Sequence, residues 1–155
     1  ASDVYKRQSQ AHIYTDVLKK STDAKLDMSG LYKGEVSIVD DVVRVGLNEY
    51  MGKGYNDPYG HKEKPKYSTT YVKGKIRVTV ESGYNQHDLY TVESIQNYLG
   101  VHEYYGHGIM NWSKTSTHWK CYNAQLNHPT FKKLPKYQQD EIKERYNLYY
   151  SKRGK

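Results

Sequence analysis

The chain holds one cysteine, Cys121, and one phenylalanine, Phe131, in 155 residues. A single thiol excludes an internal disulfide and any cysteine-rich zinc knuckle, so neither staples the fold. The shortage of phenylalanine is offset by 18 tyrosines, and the core must therefore be closed partly by rings whose hydroxyls need hydrogen-bond partners. Hydrophobic residues are only 36% of the chain and no apolar run approaches the roughly 20 residues of a membrane span. No secretory signal opens the sequence, so export is expected to depend on another segment or machine. The length suits one domain that buries about two-thirds of its unfolded surface, which makes metal unnecessary for folding itself.

What is abundant is positive charge, +7 net with a pI near 9.2. Such a balance favours nucleic acid, an anionic envelope or acidic proteins as partners. The lysines are scattered, however, from Lys19 and Lys20 through Lys62, Lys64 and Lys66 to Lys132, Lys133, Lys152 and Lys155, and a general solubility charge explains them better than a dedicated patch.

The segment Ser2–Gln8 reads as a translated adaptor, a scar rather than native chain, which leaves residues 9–155 as a single domain. Ile13, Val17 and Leu18 suggest a short amphipathic helix over Ser9–Lys20. Two runs, Gly34–Val39 and Val42–Leu47, read as strands about an Asp40-Asp41 turn. In Lys73–Glu81, Ile76, Val78 and Val80 alternate with Lys75, Arg77 and Thr79, a half-buried strand. Between them Met51–Ser68, rich in Gly, Pro, Lys and Asp, reads as a long surface loop. Val92, Ile95, Tyr98, Leu99 and His102 then repeat at helical spacing behind Thr91 as cap, predicting a helix over about 91–107 ended by Gly106 and Gly108. A second helix is expected from the Thr115–Thr117 cluster to Leu126, and a third from Tyr137 to Tyr150 behind Pro135, with Ile142, Tyr146 and Tyr149 on one side. This order predicts an α+β fold, a small and mostly antiparallel sheet followed by three helices.

The predicted site helix carries His102-Glu103-Tyr104-Tyr105-Gly106-His107. Two imidazoles with a carboxylate beside the first form the ligand-and-base set of a zinc hydrolase. Their separation is five residues, which on an ideal helix leaves the side chains about 140° apart around the axis, against about 40° for a separation of four. An ideal helix cannot chelate with this pair. One wide π turn absorbs the extra residue, and Gly106 lies where that bulge would fall. Imidazole donors without a thiolate cluster point to zinc.

These six residues resemble the HExxGH variant of the zincin motif found in the dipeptidyl peptidase III family of zinc peptidases. The resemblance implies a zincin-like site in which His102 and His107 bind zinc and Glu103 activates water. In that family a downstream glutamate completes the site, and no counterpart of its motif stands in this chain. The stretches His107–Asn111, Thr117–Lys120 and Asn127–Phe131 are similar to C-terminal toxin domains of large bacterial secreted proteins such as those with RHS repeats. This second resemblance implies a toxin or effector domain delivered at the end of a longer polypeptide, with an immunity protein as partner.

A catalytic zinc needs a third protein ligand and an open position. His118 is the first choice, because a short loop folds the second helix back over the first; Glu141, Glu144 and His128 remain alternatives. Tyr104, Tyr105 and Tyr122 offer hydroxyls for a developing oxyanion, with Tyr122, one helical turn from His118, preferred. Cys121 reads as a small packed residue, and His12, His61 and His87 as surface residues. The expectation is a zinc-dependent metalloprotease, with strand Lys73–Glu81 as an edge holding an extended peptide substrate. A nuclease is the alternative, since His107, Asn111, His118, Asn123 and His128 resemble the His-Asn-His nucleases and the charge suits phosphate. A non-catalytic binding module with a tyrosine-rich interface is the third class.

Overall fold

The computed structural model describes residues 13–18, 43–46, 66–72, 75–81 and 86–154. The adaptor-like segment, the strand expected at Gly34–Val39, most of the long loop, His12 and His61 lie outside the described residues. Residues 13–18 form helix α1, which buries Tyr14 and Leu18, one turn apart, and leaves Ile13 exposed. The expected helix is thus present, rotated so that Tyr14 rather than Ile13 meets the core.

Three strands follow: β1 (Val43–Gly46), β2 (Tyr67–Val72) and β3 (Lys75–Glu81). Their order in the sheet is β1-β3-β2. β2 pairs antiparallel with β3, Thr69 opposite Val78, and β1 runs parallel to β3, Val45 opposite Val80. The sheet is therefore mixed rather than mostly antiparallel. Val78 and Val80 are fully buried, as the alternation expects, but Thr79 between them is buried too, so this central strand is covered on more than one face there. Two expectations are corrected. Tyr67 and Ser68 belong to a strand, not to the loop, because Tyr-Ser-Thr-Thr-Tyr-Val is rich in residues that fit a pleated surface. Among the described residues β3 is the central strand, so the edge beside the site there is β2.

A 3₁₀ turn, Gln86–Leu89, carries His87 and leads into the site helix, α2, whose first turn is Val92–Ile95 and whose remainder is the π-helix Gln96–Ile109. Thr91 caps it as expected: its hydroxyl accepts from the Ser94 amide at 3.0 Å, and Ser94 accepts from the Thr91 amide at 3.1 Å. Helix α3 (Trp119–Asn127) and helix α4 (Lys136–Lys152) complete the chain, with Pro135 at the N-cap of α4. The core joins Leu18, Val78, Val80, Leu89, Ile95, Leu99, Tyr104 and Ile142, each such side chain contributing about 1.5–3 kcal/mol by leaving water. Sheet on one side and α3 on the other enclose α2, which fixes the site between them. Among the described residues no helix is long and apolar enough to cross a membrane.

Candidate metal centre

The extra residue between the two histidines is absorbed by more than a single bulge: 14 residues, Gln96–Ile109, run in π geometry. A wider turn brings residues five apart to one face, and the Nε2 atoms of His102 and His107 stand 3.1 Å from each other. Two nitrogens bound to one tetrahedral ion at about 2.0–2.1 Å would be separated by roughly 3.3 Å. The separation of the pair is thus close to what a common ion requires.

The helix ends two residues after His107, close to the expected boundary. It closes where Asn111 takes φ 57°, so that the Trp112 amide reaches the Gly106 carbonyl at 2.9 Å. Gly106 and Gly108 also serve close packing. A Cβ on Gly106 would lie 2.6 Å from the Cys121 sulfur, and one on Gly108 2.8 Å from Ile76. The first allows α3 to press against the π segment, and the second allows the sheet to do so.

Glu103 is buried beside His102, its Oε1 4.0 Å from His102 Nε2. The edge strand holds it: the Thr69 hydroxyl donates to Glu103 Oε2 at 2.7 Å. Tyr71, two residues along the same strand, donates its hydroxyl to the Gly108 carbonyl. Burial lifts the Glu103 carboxyl to about 7 against the pull of the Thr69 bond. Burial lowers His102 to about 4 despite its bond to Gln125, and lowers His107 as well, helped by His102 and His118 nearby. Both imidazoles therefore reach neutral pH without a proton to shed, as metal binding requires.

Helix α3 and the segment that leads into it supply the opposite wall. Gln125 Oε1 meets His102 Nδ1 at 2.7 Å, and Ser113 Oγ meets His107 Nδ1 at 3.0 Å. The donor atoms of His102, His107 and Cys121 lie within 4.8 Å of one another, the group among the described residues that could hold an ion. The Cys121 sulfur is 3.9 Å from both ring nitrogens of His107. That equal distance places it beside the ring and off the line of the Nε2 lone pair. Burial also pushes its thiol up.

His118 sits against the same pair, its ring 4.8 Å from that of His107 and 5.5 Å from that of His102. Tyr122 packs edge-on to His102 at 4.6 Å and stacks on Tyr149 at 5.2 Å. Tyr104 is a core residue, and Tyr105 packs on Trp112. The alternative ligands are placed elsewhere. His128 bonds Thr130 through Nδ1 at 2.8 Å, Glu144 is exposed, and Glu141, raised by burial, faces Lys66 and Asp88.

Sequence reasoning missed Thr69, Asn97, Ser113 and Gln125, and took Cys121 for packing alone. One signal was available: His118, Cys121, Tyr122 and Gln125 recur at helical spacing on one face of α3. Thr69 falls between the expected loop, which ends at Ser68, and the expected strand, which begins at Lys73. No protein-family model, no curated protein and no solved structure matches the chain.

Proposed function

We propose that this domain is a zinc-dependent hydrolase, a metallopeptidase in which His102, His107 and His118 hold the ion and Glu103 is the general base. The observation that carries the reading is the 3.1 Å approach of the two Nε2 atoms across the π turns, with a buried carboxylate 4.0 Å from one of them. Cys121 completes the donor group within 4.8 Å, but its sulfur lies beside the His107 ring; His118, outside that group with its ring 4.8 Å from that of His107, is proposed as third donor on the condition that it turns toward the pair. A bound zinc supplies Lewis acidity to a scissile carbonyl and to water. Glu103, held near neutrality by burial, takes a proton from water and returns it to the leaving amine. Tyr122, flanking His102, is the candidate to donate to the developing oxyanion. Among the described residues β2 is the edge strand, and it carries Thr69 to Glu103, so an extended peptide pairing with its outer side would pass the site.

The biological setting follows from the resemblance to toxin domains: a secreted or delivered effector at the end of a longer bacterial protein, opposed by an immunity protein. The nuclease reading gains no support, since Asn123 bonds Asn127 and His128 bonds Thr130. The test is cleavage of a peptide library by zinc-loaded chain, with and without chelator, alongside plasmid nicking. Chelator-sensitive peptide cleavage that Glu103→Gln abolishes is expected. Nicking without peptide cleavage would replace this reading with the nuclease.

A further inference from the structure

Two histidines face each other at the centre, yet their outer nitrogens are held in different ways. Behind His107 stands a hydroxyl, Ser113 Oγ, which can donate or accept. Behind His102 stands an amide chain buried between α2 and α3. Asn97 Nδ2 points at the backbone carbonyl of Gln125, 3.2 Å away, and at Thr130 Oγ1, 2.9 Å away. A carbonyl only accepts, so this end of Asn97 must be its NH₂ and the other end its oxygen. Gln125 Nε2 donates to that oxygen at 2.9 Å. The Gln125 oxygen is thereby turned to His102 Nδ1 at 2.7 Å, where it can only accept. His102 must then carry its proton on Nδ1, and its Nε2 is bare.

Asn97 and Gln125 are fully buried, so water does not compete for any of these bonds, and an inverted amide would leave like dipoles facing each other. We propose that Gln125, oriented by Asn97, is the positioning residue of the centre: it locks His102 as the Nδ1–H tautomer and presents a permanent lone pair to the ion. The importance of this lock rests on the metal reading above, but the lock itself does not. A neutral amide fulfils this role without adding negative charge behind the ligand, which leaves more of the ion's positive charge for the substrate. His107 differs. In the metal-free chain its Nε2–H donates to the bare His102 Nε2 at 3.1 Å. On loading, its proton moves to Nδ1 and Ser113 changes from donor to acceptor.

The experiment is long-range ¹H–¹⁵N correlation NMR of the histidine rings in the full chain, metal-free and with zinc, joined to zinc affinity by chelator competition. His102 is expected as Nδ1–H in both states, with His107 changing from Nε2–H to Nδ1–H on loading. Gln125→Leu should lose the tautomer bias and about 10–100-fold in zinc affinity. If Gln125→Leu does not fold, the wild-type spectrum decides. His102 found as Nε2–H in the metal-free wild type overturns the proposal. So does unchanged zinc affinity in a folded Gln125→Leu. An Nδ1–H His102 in a chain that binds no zinc would uphold the lock and sink the metal reading instead.

Discussion

The two longest helices among the described residues are nearly equal in length and opposite in character. α4 is a regular α-helix of 17 residues that buries only Gln138, Ile142 and Tyr149. The π segment of α2, with 14 residues, buries ten of them, including His102, Glu103 and both glycines that its neighbours press against. A helix packed on one face has no use for a wide turn. One enclosed between a sheet and another helix can hold a less favourable geometry, because the packing on both sides fixes what the backbone alone would not. The irregular helix carries His102 and His107 of the candidate metal centre and the regular one closes its back, through Tyr149 against His118 and Tyr122.

The contrast can be broken from either side. The largest effect is expected from Glu103→Gln, which should keep zinc and lower turnover about 10²–10⁴-fold in a peptide-cleavage assay. The same substitution should strengthen the metal-free fold at alkaline pH. The folded Glu103 carboxyl is raised from 4.5 to about 7, so its contribution to stability is whole below about pH 4.5 and is lost as pH rises through 7. Denaturant midpoints of wild type and Glu103→Gln should therefore agree near pH 4.5 and diverge by up to about 3 kcal/mol at pH 8, the variant being the more stable. Wild type remaining equal at both pH values would show that Glu103 is not held in its neutral form.

Gly106→Ala comes next. Its methyl would meet the Cys121 sulfur, and a loss of about 1–3 kcal/mol in chemical unfolding is expected, largely recovered in the Gly106→Ala/Cys121→Ala double variant. Thr69→Val removes the bond that favours the charged carboxyl, so the acid limb of kcat/KM should move to higher pH. Glu144→Ala on the exposed side of α4 should change stability by no more than about 0.5 kcal/mol.

Much of the architecture is legible because it is local. Thr91 followed by apolar residues three and four apart announces α2, and the alternation of Val78 and Val80 announces β3. The five-residue spacing of His102 and His107 even requires a wide turn, although the sequence suggests one bulge where packing on both faces sustains a longer π segment. What is not legible depends on contacts between distant residues. Thr69 reaches Glu103 across 34 positions, and Gln125 reaches His102 across 23. The role of Gly106 is likewise unreadable until Cys121, 15 residues later, is seen against it. The sheet order has the same cause, since a parallel β1–β3 pair that makes β2 the edge is a matter of topology and not of periodicity.

The central claim is that His102 and His107 form one metal-binding pair. Isothermal titration of the metal-free chain with zinc at pH 7.5 tests it most directly, with His102→Ala and His107→Ala as comparisons. One equivalent bound by wild type and none at that site in either variant is the predicted result. Wild type binding no more zinc than the two variants would contradict the account.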